Sequence, residues 1–370
     1  PDPGGGRLRF AIRAFAVRTG GPDRRSPVVT SLAPLFALAA LILLSLLWRI
    51  RHRPGPRRAG VGLGALAAGA MAVVSLAQPG SDNGGDVQDY YSQRRNPPQA
   101  PLRVYHLGHS LVGRDMPAML MQLAGPGHDY ALQLGWGATL RAHYEPGVEI
   151  AGFDQENATP KYRDVRQALA SRDYDAFVMT EMMRLSDAIK YHQTREYAAK
   201  WAAEAVRADP DIQIFVYESW HALDDGPDWL ARLPGDLDSM WKPELLWPAA
   251  RAARRPVWLI PVGQVMARLV AEAESQGGIA ELKSRKDLFA TTPEGAQDPI
   301  HPSDLGTYLV ALTHYAVLYG KSPVGLPREL LRADGSPAVA PSPELARRMQ
   351  EIVWEVVTSI RETGVPPGGL

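Results

Sequence analysis

Leu102-Arg103-Val104-Tyr105-His106-Leu107-Gly108-His109-Ser110-Leu111 is the stretch that decides the fold. Its first six residues form a largely apolar run, which is typical of a buried β-strand. Gly108 then interrupts the run, and a helical pattern follows at 114–124. The pattern predicts that Ser110 lies on a strand-to-helix turn, with its hydroxyl at the end of the strand.

Asp298-Pro299-Ile300-His301 places a carboxylate and an imidazole three residues apart, just before a helical pattern at 303–319. We expect this segment to lie on a loop. A serine hydroxyl is a weak nucleophile unless a base takes its proton, and the base needs a third group to orient it. Ser110, His301 and Asp298 supply these three parts. The plainer alternatives are a helix-capping serine, a surface imidazole and an Asx turn.

Short apolar runs alternate with helical patterns from Pro101 onward. The predicted strands are 102–107, 130–135, 175–180, 212–217 and 256–260, and the predicted helices are 114–124, 160–171, 190–208, 243–254, 263–276, 303–319 and 343–361. This alternation predicts an α/β fold, a three-layer α/β/α sandwich with a central parallel sheet of about five strands. Ligands bind beyond the carboxyl ends of strands in such sheets. Ser110 and the pair Thr180-Glu181 both fall at such ends.

Charge is segregated along the 370 residues, although 40 basic and 40 acidic side chains balance overall. Residues 1–60 hold eleven Arg and two Asp, a net charge of +9, so the remainder carries −9. A mildly acidic domain has no electrostatic reason to bind nucleic acid. There is no cysteine, which excludes disulfides and thiolate metal sites. We find neither a metal-ligand spacing nor a phosphate-binding loop, so no metal or cofactor is predicted. No protein partner can be inferred.

Two apolar segments without charges, 28–48 and 59–78, come after a basic N-terminal tail, 1–27. Each is long enough to be a transmembrane helix. Five Arg residues between them favour a cytoplasmic loop, whereas six Arg residues before the first argue the other way. The alternative for the second segment is a signal peptide. In both interpretations the chain beyond residue 78 is exported. We therefore expect an extracytoplasmic, membrane-anchored domain, periplasmic or extracellular.

Residues 79–100 are polar and rich in turn formers, which predicts a flexible linker between the membrane segments and a catalytic domain at 101–370.

Gly108-His109-Ser110-Leu111 followed by Asp298-Pro299-Ile300-His301 resembles the SGNH hydrolase superfamily, also called GDSL esterases and lipases. The resemblance covers roughly 101–320. It implies a flavodoxin-like sandwich in which Ser110 is the nucleophile and the late Asp-x-x-His supplies the orienting acid and the base. This chain departs from the family in having His109 where the family name has Asp. A buried, hydrogen-bonded His109 is our preferred interpretation, and a second imidazole in the pocket is the alternative.

The same resemblance implies an oxyanion hole, the set of donors that stabilises the tetrahedral intermediate. The Ser110 backbone N–H is the first donor. A glycine N–H is the second, either Gly135 or Gly137, with Gly135 preferred. The third family donor is an Asn side chain, which this chain lacks. Thr180 or Glu181 occupies its place, so either the hole has two donors or Thr180 donates while Glu181 holds substrate.

Three tryptophans, Trp136, Trp220 and Trp229, are candidates for stacking on a sugar ring, the alternative being ordinary core or rim aromatics. Together these features predict a serine esterase that acts on a small-molecule or carbohydrate ester, such as a sugar O-acetyl group, through an acyl-Ser110 intermediate. An O-acyltransferase that uses the same three side chains remains open. So does a binding domain of this fold without catalysis.

Overall fold

The computed structural model describes residues 85–92, 95–98, 100–226, 228–292 and 294–368. They belong to the second of two compact units, Asp82–Leu370. The predicted tail at 1–27 and the predicted membrane segments at 28–48 and 59–78 lie outside the described residues. Within the residues that are described, no helix is both long and apolar enough to cross a membrane.

Five parallel strands form the central sheet, as predicted. They are β1 (Arg103–Leu107), β2 (Asp129–Gln133), β3 (Ala176–Met179), β4 (Gln213–Glu218) and β5 (Trp258–Pro261). Their order across the sheet is β2-β1-β3-β4-β5, and every neighbouring pair is parallel. The strands are almost entirely buried, which is why their sequences read as continuous apolar runs.

Helices connect and cover these strands. In chain order they are α1 (Gly85–Gln88), α2 (Asp115–Ala124), α3 (Leu140–Tyr144), α4 (Phe153–Asn157), α5 (Val165–Ser171), α6 (Leu185–His192), α7 (Thr194–Ala208), α8 (Trp229–Asp236), α9 (Trp247–Ala253), α10 (Val262–Gln276), α11 (Asp304–Tyr319) and α12 (Pro343–Ser359). A π-helix, Leu237–Leu246, joins α8 to α9, and short 3-10 turns occupy Asp89–Ser92, Arg285–Leu288 and Arg361–Thr363.

The two faces of the sheet meet different helices, because successive side chains of a strand point to opposite faces. Tyr105 contacts Phe177, which in turn contacts Trp201 of α7. The next residue of β1, His106, faces His314 of α11 on the other side. The hydrophobic core therefore lies in two layers, one between each face of the sheet and its helices.

Three predicted helices have different bounds in the structure. The helix predicted at 160–171 begins only at Val165, since Tyr162 forms a bridge with Leu132. The helix predicted at 190–208 is divided at Gln193, whose φ of 55° lies in the left-handed region. The segment 243–254 starts inside the π-helix. In each case a tertiary contact or a local backbone turn overrides the helical pattern.

The predicted flexible linker is wrong for the part of it that the structure describes. Tyr91 is buried and its hydroxyl donates to the Val257 carbonyl oxygen at 2.7 Å. Arg95 is also buried, where it donates to the Val317 carbonyl oxygen and lies over the Phe215 ring at 5.2 Å. This segment therefore packs on the domain. The few side chains that anchor it could not be recognised within its polar sequence.

Candidate active site

The site lies where the order of the sheet reverses. β1 has β2 on one side and β3 on the other, so the connections that leave the carboxyl ends of β1 and β3 diverge at this point. Such divergence opens a crevice in parallel α/β sheets. Ser110 follows β1 by three residues, and its position on a strand-to-helix turn agrees with the sequence prediction.

Buried contacts hold the turn that carries Ser110. A Cβ atom on Gly108 would lie 2.6 Å from the Thr180 methyl carbon, so only glycine fits there. The Gly108 carbonyl oxygen accepts a hydrogen bond from Nε2 of His143 at 2.8 Å. Burial lowers the pKa of His143 to about 4, which keeps this imidazole neutral. His143 escaped the sequence analysis because nothing in its local pattern reveals a contact 35 residues away.

His109 points away from the crevice into the protein interior. Its Nε2 donates to the Glu181 carbonyl oxygen at 2.8 Å, and its Nδ1 accepts the backbone N–H of Leu111 at 3.3 Å. Burial lowers the pKa of His109 to about 4. These bonds agree with the interpretation of His109 as a buried, hydrogen-bonded residue that shapes the turn.

Asp298 and His301 lie on a β-strand, so the prediction of a loop is wrong. The strand β7 (Gln297–Pro302) pairs in antiparallel fashion with β6 (Phe289–Thr291). Its sequence lacks strand character because it contains two prolines and its side chains are only partly buried. The hairpin is separate from the central sheet and places β7 beside the crevice.

The three predicted catalytic side chains meet in this arrangement. His301 donates from Nδ1 to Oδ2 of Asp298 at 2.9 Å, and its Nε2 lies 3.0 Å from Oγ of Ser110. With Nδ1 protonated, Nε2 is free to accept the serine proton. The side chain of His301 is 44% exposed, so solvent and a substrate can reach it.

Asp298 forms a turn with the residues that follow it and also orients His301. Its Oδ1 accepts the backbone N–H groups of Ile300 at 2.7 Å and of His301 at 2.9 Å. Partial burial raises the pKa of this carboxyl, but the two backbone N–H groups and the imidazole outweigh burial and bring the pKa below its ordinary value. Asp298 is therefore ionised at neutral pH and fixes the tautomer of His301.

Trp220 supports the hairpin instead of lining the crevice, so its predicted contact with substrate is wrong. It is 2% exposed, and its indole N–H donates to the Ile300 carbonyl oxygen at 3.0 Å. The backbone N–H of Leu223 donates to the Pro299 carbonyl oxygen at 2.8 Å. Trp229 is likewise buried, against Phe289. Trp220 therefore holds β7, the strand that carries His301, and Trp229 packs on β6, the strand that pairs with it.

Three backbone donors are available for an oxyanion. In the described part of the chain, the N–H groups of Ser110, Gly135 and Gly137 donate to no acceptor. A Cβ atom on Gly135 would lie 2.0 Å from a side-chain carbon of Ile150, whereas one on Gly137 would meet nothing within 4 Å. The backbone at Gly135 is thus closely packed, as a preorganised donor requires.

Thr180 and Glu181 do not complete the oxyanion hole. The Thr180 hydroxyl donates to the Tyr217 carbonyl oxygen at 2.8 Å, so its one proton is already used. Glu181 is fully buried, and its Oε1 accepts the backbone N–H groups of Met182 and Leu140. The predictions of Thr180 as a donor and of Glu181 as a substrate ligand are wrong, because both side chains form hydrogen bonds inside the protein.

Ser110 and His301 line a small cavity of about 140 Å³, together with Arg114, Met116 and Thr307. Trp136 lies beside Gly135 and is 52% exposed, unlike the two buried tryptophans. Arg114 also escaped the sequence analysis, since an arginine at the start of a helix is usually a solvated side chain. Within the described residues, no three His, Cys, Asp or Glu side chains are grouped to hold a metal.

No protein-family model and no curated protein matches this chain. A solved structure described as a gut microbial diltiazem-metabolizing enzyme is similar over 61% of this chain, with 13% sequence identity and a TM-score of 0.32. The similarity covers 49% of that enzyme, about half of its length. The chemistry of this chain is therefore inferred from the side chains of its own site.

Proposed function

We propose that this protein is a serine esterase of the SGNH type. The observation that carries the proposal is the continuous contact from Asp298 through His301 to Ser110, with distances of 2.9 Å and 3.0 Å. A catalytic triad is recognised by this geometry and not by sequence position, and here Ser110 and His301 are 191 residues apart.

The proposed reaction has two halves. Nε2 of His301 takes the hydroxyl proton of Ser110 as Oγ attacks the ester carbonyl carbon. The imidazolium then gives that proton to the leaving alcohol, and the acyl group stays on Oγ. Water attacks the acyl-enzyme in the second half, again with His301 as base, and releases the carboxylic acid. Asp298 stabilises the imidazolium in both halves.

In this proposal, an oxyanion hole with two backbone donors, Ser110 and Gly135, stabilises the tetrahedral intermediate. Each preorganised donor contributes about 100-fold to 1,000-fold in kcat in enzymes of this kind. A hole that lacks a third donor is expected to give a modest kcat.

A short acyl group fits the site better than a long chain. The cavity beside Ser110 and His301 has a volume of about 140 Å³, whereas pockets for drug-sized ligands hold roughly 300–1,000 Å³. We therefore propose an O-acetyl ester, with the exposed indole of Trp136 available to a carbohydrate. An extracytoplasmic domain anchored by 28–48 and 59–78 remains part of this proposal.

Acetate release from 4-nitrophenyl acetate and from O-acetylated sugars tests the proposed function. The wild-type chain is expected to release acetate, and the variants Ser110→Ala and His301→Asn are expected to lose at least about 1,000-fold in kcat/KM. Hydrolysis that persists in Ser110→Ala would refute the proposal. Acetate transfer to an added acceptor sugar at the expense of water would identify an acyltransferase.

A further inference from the structure

Arg114 brings to the cavity beside Ser110 a guanidinium that forms no ion pair within the described residues. Its Nε donates to the Glu156 carbonyl oxygen at 3.0 Å, and its Nη2 donates to the Gln155 carbonyl oxygen. Among the described residues, no carboxylate forms an ion pair with Arg114. Its neighbour Asp115 also lines the cavity, but Oδ1 of that residue accepts the backbone N–H of Ala333.

The guanidinium is therefore held in place by neutral carbonyl groups, and one of its nitrogens, Nη1, has no partner in the described chain. A fixed cation that belongs to no ion pair at the edge of a site is suited to an anionic group of a ligand. A planar carboxylate matches the planar guanidinium.

Trp136 is fixed in a similar manner but leaves much of its ring open. Its indole N–H donates to Oε1 of Glu156 at 2.8 Å, and its backbone N–H donates to the Ala151 carbonyl oxygen at 2.7 Å. Gly152 has a φ of 64°, and a Cβ atom there would lie 2.1 Å from the indole. The Gly152 backbone thus lies against the ring, which explains why glycine is required.

Glu156 joins the two side chains. Its carbonyl oxygen contacts Arg114 and its carboxylate contacts Trp136, so the cation and the indole are neighbours. Arg114 lies four residues after Ser110, and Trp136 directly follows Gly135, the second proposed oxyanion donor. The pair therefore extends outward from the site where an ester would be cleaved.

We propose that Arg114 and Trp136 form a subsite for an acidic sugar, a pyranose ring with a carboxylate group, as the alcohol part of the ester. The inference rests on the proposed esterase function and names its substrate class. The apolar face of the sugar stacks on the indole, as aromatic side chains commonly provide for ring ligands. The carboxylate of the sugar binds the guanidinium of Arg114.

A matched pair of substrates tests the subsite: an O-acetylated methyl glucuronoside and the O-acetylated methyl glucoside with the same acetyl position. We expect the full-length wild type to prefer the acidic ester by about tenfold in kcat/KM, the effect of one charge-assisted hydrogen bond. Arg114→Gln should bring the ratio close to one, and Arg114→Lys should retain part of it. Added salt should weaken the preference.

Trp136→Ala should lower kcat/KM for both sugar esters by about fivefold relative to 4-nitrophenyl acetate. Tyr191→Ala is the control, because it removes an aromatic ring that is 58% exposed and does not belong to the proposed subsite. It should change neither the preference for the acidic sugar ester nor the ratio of kcat/KM for sugar esters to that for 4-nitrophenyl acetate. A wild type without preference for the acidic ester, or an Arg114→Gln variant that keeps it, would overturn the subsite while leaving the esterase intact.

Calorimetry separates the two proposals. Methyl glucuronoside itself should bind Ser110→Ala, and it should bind the double variant with Arg114→Gln about tenfold more weakly. Such binding, together with a wild-type chain that cleaves no ester, would refute the esterase and support the subsite. Absence of binding would refute the subsite.

Discussion

Glu181 makes the stability of this protein depend on pH in a direction opposite to that of most carboxylates. Burial raises the pKa of Glu181 from 4.5 to about 7, and backbone N–H groups of Met182 and Leu140 offset only part of that rise. Its Oε2 is buried, and the Thr194 hydroxyl beside it lowers the pKa without offsetting burial. The protonated carboxyl is thus the form that the folded state prefers.

Proton linkage determines whether the free energy of unfolding rises or falls with pH. The folded protein holds this proton up to about pH 7, whereas the unfolded chain releases it near pH 4.5. The stabilising contribution of Glu181 is therefore complete below pH 4.5 and is lost as the pH rises through 7. Since each pH unit of difference corresponds to about 1.4 kcal/mol, the total loss is about 3 kcal/mol.

Glu181→Gln tests this account, because glutamine keeps the acceptor at Oε1 and cannot ionise. In urea unfolding, the free energy of unfolding of the wild type should fall by about 2 kcal/mol more between pH 5 and pH 8 than that of Glu181→Gln. The variant keeps the fall that comes from Glu218, a second buried carboxyl whose pKa burial raises to about 8. Glu149→Gln, which alters an exposed carboxyl without hydrogen bonds in the described chain, should follow the wild type. Parallel curves for the wild type and Glu181→Gln would refute the reasoning.

Two further predictions concern the geometry of the site. Trp220→Phe leaves the Ile300 carbonyl oxygen without its donor, so the hairpin should shift and kcat/KM for 4-nitrophenyl acetate should fall by about tenfold or more; an unchanged value would remove Trp220 from the support of the site. Gly135→Ala should lower kcat by about 100-fold, because the added Cβ collides with Ile150 and displaces the oxyanion donor. Gly137→Ala should lose only about 1 kcal/mol of stability and keep its kcat; the opposite result would assign the donor to Gly137.

The sheet was predictable from the sequence because its strands are buried on both faces. Each predicted strand overlaps its observed counterpart to within about two residues at either end, as for 102–107 and the observed Arg103–Leu107. The contact of Ser110 with His301, and of His301 with Asp298, was predictable as well from the residue types and their order along the chain. Neither inference needed knowledge of packing.

Side chains whose roles depend on packing were not predictable. Thr180 stands at the correct end of β3, but its hydroxyl meets Tyr217 only because β3 and β4 pair in one register. Trp220 and Trp136 are alike in sequence, yet one is buried under β7 and the other is half exposed. The hairpin strand β7 was missed because a strand with two prolines and little burial has no periodic pattern.

Mass spectrometry after treatment with a fluorophosphonate tests the central claim most directly, because this reagent reacts only with a serine that a neighbouring base activates. We predict one modified peptide in the full chain, with the adduct on Ser110, and at least about 1,000-fold slower modification in His301→Asn. A chain that stays unmodified, or one in which Ser110→Ala is modified as fast as the wild type, would contradict the account.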